Sequence, residues 1–163
     1  MFHPIPDSAE ELAAYQRLQS RLPDLFRRVF ADPLEPRTVV IVPGLTMDQD
    51  VLAKVLGGLH YEERQLAMLM LLRLPNTRIV FLSSTPIEPA IVDYHLQLLA
   101  GVPDPRRRLV LLSASDAGAQ SLTMKILDRP RLLERIRAAI GDPAIAHLSV
   151  FNATPLERTL GRI

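Results

Sequence analysis

The chain has 163 residues, 48% hydrophobic and 23% charged, the make-up of a globular domain that can bury its own core rather than of a disordered chain. Nineteen basic and eighteen acidic residues leave a net charge of +1, which argues against a broad electrostatic footprint for nucleic acid. The lack of cysteine excludes disulfides, thiolate metal sites and a thiol nucleophile.

In chain order, Ser8 and Glu11 have the spacing of a capping box and predict a helix start. Leu12, Tyr15, Leu18, Leu22, Leu25, Phe26 and Val29 then recur at helical spacing. Pro23 predicts a break near Leu22, and Asp32, Pro33 and Pro36 end the segment. Residues 1–36 thus read as an N-terminal helical segment, a pair of helices on the outside of the fold. Thr38 to Val42 follows, short, β-branched and apolar throughout, as a parallel strand buried on both faces would be. Similar runs recur at Arg78 to Leu82, Leu109 to Leu112 and His147 to Phe151. Helical stretches lie between them: Asp48 to Leu56, Tyr61 to Leu74, Pro89 to Leu99, and Ser121 to Ile140 broken at Pro130. This alternation predicts an α/β domain over residues 37–163, Rossmann-like, with an open, mainly parallel sheet and helices on both faces.

In such sheets ligands bind beyond the carboxyl ends of the strands. There the chain places Thr46 and Gln49 after the first strand, Ser83-Ser84-Thr85-Pro86-Ile87-Glu88 after the second, and Asn152-Ala153-Thr154-Pro155-Leu156-Glu157 after the fourth. The shared pattern of threonine, proline and glutamate predicts helices capped by Thr85 and Thr154. A helix start attracts anions, but a glutamate at its third position already occupies part of that end, which favours plain caps over an anion site. His60-Tyr61-Glu62-Glu63-Arg64 opens a very apolar helix in which Leu66, Leu69, Met70 and Arg73 are expected to face the sheet. Two readings stay open for it: a solvated helix start anchored by Tyr61, or the mouth of a cleft. Arg106-Arg107-Arg108 precedes a strand and reads as a solvated loop. No glycine-rich phosphate loop is present, His3, His60, His95 and His147 are scattered, and no nucleophile triad can be assembled. The longest apolar run, Leu66 to Leu72, is far short of the ~20 residues that span a bilayer, and the N-terminus lacks a signal-peptide core. A cytoplasmic protein without membrane or nucleic-acid partners is expected.

Four stretches together resemble the pre-ATP-grasp region of bacterial ATP-grasp proteins related to the pheganomycin-type peptide ligase. They are Val40-Ile41-Val42-Pro43-Gly44-Leu45, His60-Tyr61-Glu62-Glu63-Arg64, Ser83-Ser84-Thr85-Pro86-Ile87 with Ile91-Val92-Asp93-Tyr94, and Phe151-Asn152-Ala153-Thr154-Pro155-Leu156-Glu157-Arg158. The resemblance spans roughly Arg37 to Ile163. It implies the N-terminal domain of an ATP-dependent carboxylate–amine ligase, docked on an ATP-grasp domain that this chain lacks, with ATP and magnesium held by that second domain. The chain stops at Arg162-Ile163 within what reads as a helix start, so a fragment, inactive alone, is expected. Thr46, Tyr61, Glu62, Arg64, Ser84, Thr85, Asn152 and Thr154 are the candidate substrate-side residues, with Arg64 for a carboxylate because its fork holds two oxygens at once. No position matches a catalytic residue. The alternatives are a stand-alone α/β module that partners a separate ATP-grasp subunit and, more weakly, a small nucleotide binder. A homo-oligomer is left open.

Overall fold

The computed structural model describes residues 9–27, 32–45 and 58–162. Ser8 and its capping box, Thr46, and the helix expected over Asp48 to Leu56 lie outside them. The chain divides into two compact units, Met1–Glu35 and Pro36–Ile163.

In the first unit, α1 (Ala9–Phe26) runs on through Pro23, where a break near Leu22 was expected. Proline removes one main-chain donor, here the bond to the Gln19 carbonyl, and the turns on either side continue the helix. Leu12, Tyr15, Leu18, Leu22 and Phe26 are exposed.

The second unit holds a four-stranded, all-parallel sheet of β1 (Arg37–Val42), β2 (Thr77–Ser83), β3 (Leu109–Ser113) and β4 (Ala146–Val150), in the order β3-β2-β1-β4. Its helices are α2 (Gly58–Arg64), continued by a 3-10 helix over Gln65–Arg73, then α3 (Pro89–Gln97), α4 (Leu122–Leu127), α5 (Pro130–Ile140) and α6 (Pro155–Leu160). Side chains alternate along each strand, so the sheet feeds two cores. Val39, Ile41, Ile79 and Phe81 pack with Leu66, Leu69 and Leu72 on one face. Val40, Val42, Val80 and Leu82 pack with Leu122, Ile126, Leu132 and Ile136 on the other. β1 is buried throughout, as its unbroken β-branched run requires.

Three local expectations are corrected. The segment after Arg64 is a 3-10 helix, with three residues per turn, so its buried side is Leu66, Leu69 and Leu72, while Met70 and Arg73 are exposed. Thr85 does not cap a helix. α3 begins at Pro89, with Glu88 as its N-cap residue in an extended conformation and without a side-chain cap. Pro89 disfavours helical angles at Glu88, and that stops a helix that would start at Pro86. Thr154, with no second proline behind it, does cap α6 in a full capping box with Glu157.

The third correction is at Arg108, which is half-buried rather than solvated. Its Nη2 donates to the Leu72 carbonyl at 2.7 Å. Its Nη1 reaches the carbonyls of Leu74 (2.9 Å), Pro75 (3.0 Å) and Thr77 (3.2 Å). One guanidinium thus closes the turn between the 3-10 helix and β2. Arg108→Ala is expected to lower stability by about 2 kcal/mol in urea unfolding, and Arg108→Lys to recover less than half of that, because an ammonium lacks the fork. Full recovery by lysine would mean that the charge alone matters.

Candidate functional site

The carboxyl ends of β2 and β3 carry a buried polar cluster. Where β2 ends, the Ser84 main-chain N–H donates to Glu62 Oε2 at 2.6 Å and its hydroxyl donates to Oε1 at 2.7 Å. Glu62 comes from α2, on one side of the sheet. From the opposite side, Lys125 of α4 donates to Ser84 Oγ and to the Asp116 carbonyl, both at 3.0 Å. The Ser84 hydroxyl therefore stands between an ammonium and a carboxylate. All three side chains are buried, Ser84 and Lys125 to 1% exposure and Glu62 to 6%.

The loop after β3 completes the cluster. Asp116 N–H donates to the Ser84 carbonyl at 2.8 Å. The Asp116 carboxylate accepts from Gly118 N–H at 2.7 Å and from Arg129 Nη2 at 2.6 Å. Ser115 is held in the left-handed region, φ +53°, with its N–H on Ser113 Oγ. A non-glycine residue in that region is strained and must be held by its surroundings.

Burial pushes the Glu62 carboxyl above its ordinary 4.5, outweighing its two Ser84 bonds and the Lys125 charge. Burial also pulls Lys125 below its ordinary 10.5, against the attraction of Asp116 and Glu62. Asp116, unlike Glu62, is lowered, first by the Gly118 N–H and then by Arg129.

A second buried carboxylate, Glu157 of α6, accepts from the Thr123 hydroxyl of α4 and from the N–H and hydroxyl of Thr154. α4 thus ties both clusters together. Its start lies against β1, because Gly44 leaves room for it: a Cβ there would stand 2.5 Å from Leu122 Cβ.

Between β1 and β4 the strand order reverses. At their carboxyl ends lies a crevice of about 140 Å³, bounded by Ile41 and Val42, Gln65 and Met68, and Ser149 and Phe151. Tyr61 meets Phe151 edge to face, ring centres 5.2 Å apart at 84°.

Of the candidates from the sequence, Glu62 and Ser84 bond to each other in the interior. Tyr61, Thr85, Asn152 and Thr154 are half-buried near strand or helix ends, and Arg64 is exposed. Lys125, Asp116, Arg129 and Thr123 were not singled out from sequence, and Glu157 was read there only as the capping partner of Thr154. One signal for Lys125 was present: it is one of two lysines in an arginine-rich chain, set alone in the apolar run Leu122 to Leu127. Among the described residues, no group of three or more His, Asp or Glu side chains could hold a metal ion. Among them, too, no helix is long and apolar enough to cross a membrane.

An open parallel sheet with its polar residues gathered at the carboxyl edge defines a Rossmann-like α/β domain. The chain is 35% identical over 105 residues to the L-propargylglycine–L-glutamate ligase of Streptantibioticus cattleyicolor, in keeping with its resemblance to the pheganomycin-type ligases. That match covers 61% of this chain and 22% of the ligase, so the chain spans less than a quarter of its relative. No protein-family model and no solved structure matches the chain.

Proposed function

We propose that this chain is the substrate-side domain of an ATP-dependent carboxylate–amine ligase that joins amino acids. The observation that carries this reading is the 35% identity to a ligase named for two amino acids, L-propargylglycine and L-glutamate. The match covers a minor part of that ligase, so the catalytic half of the reaction is assigned to an ATP-grasp domain, in the same polypeptide or in a separate subunit. ATP, with magnesium, activates a carboxylate as an acyl phosphate there, and an amine displaces the phosphate to form the amide.

The residues of this chain bind and orient. The Glu62–Ser84–Lys125 cluster sets the position of the Ser84-Thr85 loop. Tyr61, Thr85, Asn152 and Thr154 supply hydrogen bonds and docking contacts along the carboxyl edge, and Arg64 is the contact for a substrate carboxylate. The native gene product, supplied with ATP, magnesium and pairs of amino acids, is expected to form an amide with release of ADP. Arg64→Ala is expected to raise KM for the acid about tenfold with little change in kcat, the mark of lost binding rather than lost chemistry. No amide formation, alone or with a co-purified subunit, would overturn the reading. An unchanged KM would remove Arg64 from it.

A further inference from the structure

The crevice at the reversal of strand order has a definite chemistry. Ser149 pairs in register with Ile41 and so shares its face of the sheet, below Met68. Among the described residues, the Ser149 hydroxyl makes a weak contact there, with the Met68 sulfur at 3.9 Å. Gln65 is half-buried at the side. Among the described residues, every one that lines the crevice is uncharged. A volume of about 140 Å³ is below the roughly 300 Å³ at which whole-ligand pockets begin. It is therefore the size of one group of a substrate. A charged group placed in it would lose its water and meet no counter-charge among the described residues, whereas an aliphatic group would gain the walls of Ile41, Val42, Met68 and Phe151.

We propose that this crevice, outside the carboxyl ends of β1 and β4, is a specificity subsite for a short, uncharged amino-acid side chain, with Gln65 and Ser149 as its polar contacts. The proposal rests on the ligase reading for its substrate class, but its test needs no ATP. L-norvaline and L-ornithine share a three-carbon stem and differ by a terminal ammonium. Binding of each to the 163-residue chain is read by calorimetry and by saturation-transfer NMR.

Norvaline is expected to bind, and ornithine to bind at least about tenfold more weakly. Ser149→Leu, which fills the crevice, is expected to weaken norvaline about tenfold or more. If Ser149→Leu does not fold, Gln65→Trp at the side of the crevice is expected to show the same loss. Equal binding of the two amino acids, or unchanged norvaline binding in the filled variant, would overturn the proposal. So would no norvaline binding up to about 20 mM. Norvaline bound as described without ATP-dependent ligation by the native gene product would keep the subsite and remove the ligase reading. Ligation with a KM indifferent to Ser149→Leu would do the reverse.

Discussion

Replacing Glu62 by alanine is expected to lower stability by about 3–5 kcal/mol, because it leaves a buried ammonium without its carboxylate and removes both acceptors of Ser84. For a chain of this size the melting temperature falls by about 10 °C. The cluster also makes stability depend on pH. Burial holds the Glu62 carboxyl above 4.5, so the folded protein keeps this proton more readily than the unfolded chain. The Glu62 contribution is then fully present below the unfolded value and is lost as pH rises through the folded one. Lys125, held below 10.5, contributes above that value and loses its contribution as pH falls through its folded value. Glu62→Gln removes only the first of these. The gap in unfolding free energy between wild type and Glu62→Gln is therefore expected to narrow from pH ~4 to pH ~8 in urea titrations. A gap that widens would mean that the pull of Lys125 exceeds the cost of burial.

Gly44→Val is expected to destabilise by about 3 kcal/mol or more, with Gly44→Ala close behind at about 1–3 kcal/mol. The reason is distance. Any Cβ at Gly44 falls 2.5 Å from Leu122 Cβ, and Leu122 is only 2% exposed and packed in the core beneath α4. Neither partner is the flexible tip of a side chain, so the start of α4 must shift away from β1. That shift would also disturb Lys125 and Thr123, which α4 carries into the two polar clusters. Equilibrium unfolding measures the loss. A Gly44→Ala protein as stable as wild type would show that α4 can move off the strand without cost.

The two predictions share one feature of the molecule. Its polar interior is not spread through the sheet but concentrated where strands end, and each cluster joins elements from different parts of the chain. Glu62 and Lys125 are far apart in sequence, and Ser84 lies between them. The substrate-side role proposed for this edge depends on that rigidity. Loops such as Ser84-Thr85 and Ser113 to Gly118 hold their shape through buried bonds rather than through regular structure.

What the sequence determined alone was local and periodic. Short apolar runs separated by amphipathic stretches specified four parallel strands, each within about two residues of its observed limits, of which the central β1 and β2 are buried and the edge strands β3 and β4 are mostly half-buried. The capping box at Thr154 was equally legible, since its partners are three residues apart. Glu62 and Ser84 could be named as candidates, but not as a pair. Other features depended on non-neighbours. The 3-10 winding after Arg64 carries Leu66, Leu69 and Leu72 onto the face of β1 and β2, a spacing of three that the run of leucines alone does not distinguish from 3.6. Arg108 could not be told from a solvated arginine until the turn it closes was in place. Lys125, a lone charge in an apolar helix, became intelligible only with Ser84 and Asp116 at its tip, because a buried charge is tolerated where the fold, and not the local sequence, brings its partners within bonding distance.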